Sequence, residues 1–238
     1  MRIVPISDTH NNKPTLPEGD LLIHAGDLTV LGSEQEVKDA AAWLKEISPR
    51  YTHGVVLVPG NHDFLFEESL PNLLNEKRGK RIVRNAPLAR KIMEDAGIKL
   101  LINQSTEINN VKIYGSPTSL WFNDWAFNVR PSEMAKEWEN IPDNTEILIT
   151  HGPPYGIGDL TKRGGHVGCQ ALVYRLKTLN NLKMHIFGHI HEGAGTSFFN
   201  NKLMVNASVL DVWYNGFNNI NVVEFPSLNV RSYPDESV

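Results

Sequence analysis

The pattern of hydrophobic and polar positions along the chain contains five short apolar runs, and each run is followed closely by polar residues. Runs of this length, bounded by glycine, proline and polar positions, predict buried β-strands. The runs cover residues 2–7, 20–23, 55–58, 146–149 and 184–187. Because ligands of layered α/β proteins gather at the carboxyl ends of such strands, we expect the five ends to converge on one site.

Segments with one apolar face separate several of these strands. Ser33 and Glu36 have the spacing of a capping box, and apolar residues recur on one face behind them until Pro49 ends the pattern. Proline near the start and glycine at the end predict a second helix over residues 87–97. Further helices are predicted over residues 131–140 and 168–179.

Two Asn-Asn pairs mark tight turns in the second half of the chain. Asparagine tolerates the left-handed backbone that such turns need. The flanking strand-like segments are residues 100–108 with 111–114, and residues 196–199 with 202–205, while residues 220–225 form a final apolar run. The order of strands and helices predicts an α/β fold with two mixed sheets packed face to face and helices outside. The length suits one domain over residues 1–238.

Composition and charge narrow the class of protein. The chain has 41% hydrophobic residues, 21% charged residues and a formal net charge of −4, so it lacks the basic excess expected of a protein that binds polymeric nucleic acid. No stretch has the apolar core of a signal peptide or the length of a membrane span, and we expect a cytoplasmic protein with no membrane partner. The single Cys169 excludes an internal disulfide and a thiolate metal cage.

The polar residues after the five runs are nitrogen and oxygen donors suited to metal ions. They are Asp8, His10, Asp27, Asn61, His151, His189 and His191. Two pairs among them lie at positions i and i+2, which point to the same side of an extended chain. The set exceeds what one tetrahedral ion accepts and suits two ions that share a bridge. Asp27 is the natural bridge, because a carboxylate offers two oxygens and an imidazole one lone pair.

A centre of this kind predicts hydrolysis of a phosphate ester. Two divalent ions carry more positive charge than two aspartates and a hydroxide neutralise. The centre therefore keeps a net positive charge, which attracts an anion. A hydroxide that bridges two ions about 3.5–4 Å apart can attack phosphorus in line. His62, next to Asn61 but not needed as a ligand, is predicted to be the general acid that protonates the departing alkoxide. Asp63 is predicted to orient the His62 ring.

Five motifs resemble the ordered motif set of the calcineurin-like metallophosphoesterases. They are Asp8-Thr9-His10, Gly26-Asp27, Gly60-Asn61-His62-Asp63, His151-Gly152-Pro153-Pro154 and Gly188-His189-Ile190-His191. All five occur in order, and the similarity spans nearly the whole chain. Residues around them, such as 113–117 and 187–193, are similar to the branch of metallophosphoesterase-domain-containing proteins.

The resemblance implies a four-layer αββα sandwich and a centre of two divalent metal ions. It implies Asp8, His10, Asp27 and His191 around one metal, Asp27, Asn61, His151 and His189 around the other, and His62 as the catalytic histidine. Family members use manganese, iron, zinc, cobalt or nickel, and mixed nitrogen and oxygen ligation suits all of these. Some members of the branch have glycine at the position of His189 and are thought to be weakened by it, whereas this chain keeps the histidine.

The activity implied by the resemblance is hydrolysis of small phosphodiesters, with cyclic nucleotides among the substrates. A phosphomonoesterase or a phosphoprotein phosphatase would use the same metals. A non-catalytic interaction module with this fold is the third alternative. Such modules tend to lose the catalytic histidine, which this chain retains as His62.

Three further segments have both a structural and a functional interpretation. His166 lies in a glycine-rich loop before the fourth predicted helix, where backbone amides could meet an anionic substrate. The aromatic residues 120–127 are expected mainly to pack beneath a loop, with Trp121 or Phe122 as a candidate for stacking on a substrate base. The basic residues 77–81 are expected to form a solvated loop, with attraction of anionic substrates toward the cleft as the functional alternative.

Overall fold

The structure is a computed structural model that describes residues 1–68, 76–77 and 79–234, so Arg78 of the basic run lies outside the described residues. The strands are β1 (Arg2–Ile6), β2 (Leu21–His24), β3 (Val55–Leu57), β4 (Glu76–Lys77), β5 (Lys80–Arg81), β6 (Lys99–Leu100), β7 (Gln104–Ile108), β8 (Val111–Ser116), β9 (Ser119–Leu120), β10 (Asn128–Val129), β11 (Ile147–Thr150), β12 (Met184–Phe187), β13 (Gly195–Phe199), β14 (Lys202–Asn206), β15 (Ile220–Glu224) and β16 (Asn229–Tyr233). The α-helices are α1 (Glu34–Ile47), α2 (Ala86–Asp95), α3 (Met134–Glu139) and α4 (Gln170–Thr178). Within these ranges, no helix combines the length and apolar character needed to cross a membrane.

Two large mixed sheets form the centre of the fold. The first has the strand order β16-β15-β1-β2-β3-β6, and the second has the order β13-β14-β12-β11-β8-β7. Strands β1, β2, β3 and β6 run parallel, as do β8, β11, β12 and β14 in the other sheet. Because parallel strands bring their carboxyl ends to one edge of a sheet, each sheet presents a set of loops at one edge.

Alternate side chains of the strands build three apolar layers. Ile3 and Ile147 belong to the cluster between the two sheets. Val4 points the other way and shares a cluster with Leu44 of α1, while Leu148 shares a cluster with residues of α3 and α4 on the far side of the second sheet. The predicted four-layer αββα arrangement is therefore confirmed, and burial of both strand faces explains the unbroken apolar runs.

The local signals at α1 and at the two Asn-Asn turns are confirmed. The Ser33 hydroxyl accepts a hydrogen bond from Glu36 N at 3.3 Å, and the Glu36 carboxylate accepts one from Ser33 N at 2.8 Å. All four asparagines of the turns at residues 109–110 and 200–201 have left-handed φ angles between 49° and 61°. Each pair joins the antiparallel strands of a hairpin.

The prediction of one strand over residues 100–108 is wrong. β6 pairs with β3 in the first sheet, whereas β7 pairs with β8 in the second. The chain changes sheets at Leu101, whose side chain fills the layer between them. The structure also begins α3 at Met134 and adds the edge strand β16, whose mostly exposed residues carry no apolar pattern.

Candidate metal centre

The carboxyl ends of five strands bring the predicted donors together. In the order β1, β2, β3, β11 and β12, the loops after these strands carry Asp8 and His10, then Asp27, then Asn61, then His151, then His189 and His191. Three groups of side chains each hold ligand atoms within 4.8 Å of one another. The groups are Asp8, His10 and His191; His10, Asp27 and His62; and Asp27, His151 and His189.

Asp27 lies between the donors of the two sheets. Its Oδ1 is 3.3 Å from Nε2 of His151, and its Oδ2 is 3.7 Å from Nε2 of His10. The Asn61 side-chain oxygen is 2.9 Å from the same His151 nitrogen. One carboxylate therefore reaches both groups of donors, which is the position expected of a bridging ligand.

The hydrogen bonding of the donor atoms also supports metal binding at this site. Among the described residues, Nε2 of His10 is a buried nitrogen without a hydrogen-bond partner. Leaving such an atom unpaired is costly, and an ion shared with Asp27 would satisfy it. The cluster combines imidazole nitrogens with carboxylate and amide oxygens, a donor set that first-row divalent metals accept.

Hydrogen bonds to backbone carbonyls orient four of the histidine rings. A carbonyl can only accept, so the Nδ1 atom of each ring must carry a proton, and Nε2 is the nitrogen that faces the cluster. The pairs are His10 with Thr29 at 3.2 Å, His62 with Val30 at 2.7 Å, His151 with Ala25 at 3.0 Å and His191 with Asp211 at 3.0 Å. The rings are thus fixed by the fold itself.

Electrostatics keep both aspartates ionised. Burial acts to raise the pKa of Asp8, but the neighbouring His191 lowers it to well below its ordinary value. Burial acts in the same direction on Asp27, and His151 again lowers that pKa well below the usual range. By contrast, burial lowers the pKa of His10 and of His189 to about 4, so both rings are neutral near pH 7 and keep a lone pair for a metal.

The ligand loops hold unusual backbone conformations. Asp8, His10, Asp27 and His189 all have left-handed φ angles, between 43° and 71°. Such angles are costly for residues other than glycine and cluster at functional sites. The loops also pass very close to one another, since a Cβ on Gly188 would lie 2.2 Å from an Asp8 carboxylate oxygen.

Asp8 has further partners that fix its carboxylate. It accepts hydrogen bonds from His189 N at 2.9 and 3.1 Å and from the Ser208 hydroxyl at 2.8 Å. The Asn206 side-chain oxygen lies 2.9 Å from the same hydroxyl and accepts a hydrogen bond from Ser208 N at 3.1 Å. The sequence gives no direct signal for Ser208, which acts on the cluster only through Asp8.

The structure corrects the role predicted for Asp63. Its carboxylate accepts hydrogen bonds from Gly60 N, Leu28 N and both the amide and hydroxyl of Thr29, at 2.7 to 3.1 Å. These bonds join the loops after β2 and β3, and the His62 ring is oriented instead by the Val30 carbonyl. Burial, together with Asp27, raises the pKa of Asp63 to about 6.

A cavity of about 620 Å³ opens above the cluster. Its floor includes Asp27, Asn61, His62, His189 and His191, and its walls carry the aromatic residues Trp121, Phe122, Trp125 and Tyr214. Trp121 is half exposed on the wall of this cavity. Sequence reasoning missed Tyr214, whose ring centroid lies 4.9 Å from those of both His10 and His191.

His166 lies outside the lining of this cavity. Its Nδ1 hydrogen bonds the buried Asp159 carboxylate at 2.7 Å, and its ring contacts Tyr155. The neighbouring Val167 lines the cavity instead. His166 is therefore paired within its own loop, and its contact with a substrate stays a prediction.

The fold and the cluster define a class of α/β sandwich proteins whose loops gather metal-binding side chains. Within that class, the chain belongs to the calcineurin-like phosphoesterase family, whose model matches residues 1–193. Metallophosphoesterase domain-containing protein 1 of Homo sapiens and of Mus musculus are each 34% identical over 235 residues, covering 95% of this chain and 71% of each relative. The phosphopantetheinyl hydrolase of Mycobacterium tuberculosis has the same fold, with a TM-score of 0.52 at 15% identity over 99% of this chain and 97% of that one.

Proposed function

We propose that the protein is a metal-dependent phosphodiesterase acting on small phosphodiesters. The observation that carries this proposal is the chemistry of the cavity wall. Of the residues described, those that line the cavity include no lysine or arginine, while Leu120, Trp121, Phe122 and Val167 provide apolar surface. A phosphodiester carries one negative charge and two organic groups. Its second organic group therefore has an apolar surface to contact, which a phosphomonoester would leave unused.

Two sets of residues would hold the metal ions. The first set is Asp8, His10, Asp27 and His191, and the second is Asp27, Asn61, His151 and His189. Their nitrogen and oxygen donors suit manganese, iron, zinc, cobalt or nickel. When bound, two such ions would supply an activated water and neutralise charge on the phosphoryl oxygens. The protein contributes the orientation of each donor through the backbone carbonyls behind the rings.

His62 is the proposed general acid. It lines the cavity, its Nδ1 donates to the Val30 carbonyl, and its Nε2 faces the cluster at 3.9 Å from Asp27 Oδ2. In the protonated ring, the proton on Nε2 is the one free to move to the departing ester oxygen as its bond to phosphorus breaks. The neutral imidazole left behind regains a proton from solvent.

A cyclic nucleotide is the proposed substrate type within this class. Trp121 and Phe122 are 50% and 58% exposed and stand on the cavity wall. Exposed aromatic faces of this kind can stack on a nucleobase, a contact worth about 1–3 kcal/mol per base. The same surface would accept the aryl group of a model phosphodiester.

A pair of variants tests the proposal. His62→Ala should keep the metal content and lower kcat by about 10²–10⁴-fold, because it removes the proton donor and none of the proposed ligands. His53→Ala, which changes an exposed histidine away from the cavity, is the matched control and should leave kcat unchanged. The measurements are elemental analysis and hydrolysis of methyl phenyl phosphate, whose basic leaving group needs a proton, by protein loaded with Mn²⁺.

The substrate class is tested by comparing bis(p-nitrophenyl) phosphate with p-nitrophenyl phosphate, which release the same leaving group. We expect a higher kcat/KM for the diester. A strong preference for the monoester would indicate a phosphomonoesterase or phosphoprotein phosphatase. Absence of hydrolysis of any phosphoester by metal-loaded protein would support a non-catalytic interaction module and contradict the proposal.

A further inference from the structure

The indole ring of Trp125 lies flat against the His62 imidazole. The ring centroids are 4.2 Å apart and the planes differ by 28°. Phe64 stacks on the same indole at 5.6 Å and 26°. Trp125 is only 9% exposed and belongs to a small apolar cluster with Leu31, Phe64, Ile82 and Ala126. The surface that His62 contacts is therefore itself held by packing.

The loop that carries Trp125 is tied to the segment that carries His62. Ala126 N donates to the Asn61 carbonyl at 3.1 Å. Phe127 N donates to one carboxylate oxygen of Glu67 at 2.8 Å, and Arg84 Nε donates to the other at 2.7 Å. Because both sides of the contact share these hydrogen bonds, the indole and the imidazole are held together as one unit.

The hydrogen bond from His62 Nδ1 to the Val30 carbonyl is a single restraint on the ring. One such bond contributes only about 0.5–1.5 kcal/mol, so rotation of the side chain about χ1 and χ2 can break it. The face of Trp125 blocks that rotation, and the His10 ring meets His62 edge to face at 4.6 Å and 80°. With both restraints in place, Nε2 stays directed at the cluster.

We infer that Trp125 is a positioning residue for His62, which keeps the imidazole where it can deliver a proton to the departing ester oxygen. This inference rests on the proposed function, since it gives Trp125 a role only if His62 is the general acid. A misplacement of a reacting group by about 1 Å can cost as much as 100-fold in rate. The cost should depend on the substrate, because a good leaving group departs without protonation and a poor one does not.

Hydrolysis of two phosphodiesters distinguishes a loss of His62 positioning from a general loss of folded protein. Methyl p-nitrophenyl phosphate releases a stable nitrophenolate, whereas methyl phenyl phosphate releases a more basic phenolate. The readout is the ratio of the two kcat values, measured with metal content and circular dichroism for each variant. General loss of active protein lowers both rates and leaves the ratio unchanged.

Four variants give the comparison. His62→Ala should raise the ratio of nitrophenyl to phenyl rates by about 10–100-fold. Trp125→Met, which fills the space without a flat ring, should raise it by about tenfold, and Trp125→Phe by about threefold because a smaller ring still covers part of the imidazole. Trp121→Leu changes a tryptophan of the same loop on the cavity wall, and it should raise KM for both substrates with the ratio unchanged.

The outcomes distinguish the inference from the proposed function. If His62→Ala raises the ratio and Trp125→Met does not, Trp125 has no positioning role and the proposed function stands. If His62→Ala itself leaves the ratio unchanged, His62 is not the general acid and the inference is refuted with it. Should Trp125→Met fail to fold, an unchanged ratio in the folded Trp125→Phe variant refutes the inference.

Discussion

Replacement of Asp27 by asparagine tests whether one carboxylate serves two metal ions. Asp27 is 2% exposed, and its two oxygens lie 3.3 Å from His151 Nε2 and 3.7 Å from His10 Nε2. An asparagine fits the same space but has one ligand oxygen and no charge. Both proposed ions should lose a ligand at once, whereas Asp8→Asn should affect one ion, because Asp8 belongs to one donor group.

The size of the effect follows from mass action. Loss of residues that merely support a ligand lowers metal affinity by about 10–100-fold, so loss of the ligand should cost at least about 100-fold. With free metal at about ten times the wild-type dissociation constant, an unchanged site holds about 0.9 ion and a site weakened 100-fold about 0.1 ion. The expected contents are about 1.8 ions per chain for wild type, about 1.0 for Asp8→Asn and about 0.2 for Asp27→Asn.

Equilibrium dialysis against Mn²⁺ followed by elemental analysis measures these contents. Circular dichroism of each metal-free variant shows whether the fold is retained. A folded Asp27→Asn protein that keeps about one ion per chain would show that the two ions do not share Asp27.

Three other predictions concern the supports of the site and the stability of the fold. Ser208→Ala removes the hydroxyl that donates to Asp8 and should weaken one metal site by about 10–100-fold in a chelator competition titration, with the circular dichroism spectrum unchanged. Gly188→Ala would place a Cβ 2.1 Å from the Ser7 hydroxyl, and urea denaturation of the metal-free protein should show a loss of about 1–3 kcal/mol. Burial lowers the pKa of His185 to about 3 from an unfolded value of 6.5, so the unfolded chain binds more protons between these values. Stability should therefore fall as the pH drops below 6.5, by about 1.4 kcal/mol per pH unit from this group, and His185→Gln should flatten that dependence.

The parts of the fold that sequence predicted are those with a local signal. The capping box at Ser33 and the asparagine turns depend on how a side chain interacts with the backbone next to it in sequence. The residue types at a few neighbouring positions are therefore enough to predict them. The prediction of one strand over residues 100–108 failed because the pairing of a strand depends on residues that are distant in sequence. These residues change partners from β3 to β8 at Leu101, and a strand-like segment does not by itself indicate which strand it pairs with.

The gathering of the donors was predictable, but the contacts behind them were not. Residues at strand ends converge because of topology, and topology can be inferred from the order of runs. The Val30 carbonyl that orients His62 belongs to the backbone, which every residue has, so no residue type marks it. Asp63 misled the prediction because neighbours in sequence need not point the same way, and its carboxylate turns to the loop after β2.

The left-handed backbone at His189 bears on how this protein could lose its activity in evolution. With φ at 71°, the position suits glycine better than histidine, and a residue with a Cβ there costs about 1 kcal/mol. A change to glycine would remove a donor from the cluster and would also remove that cost. Loss of the proposed activity by this change should therefore increase the stability of the fold. We expect His189→Gly to have a higher melting temperature than the wild type and to bind one metal ion fewer.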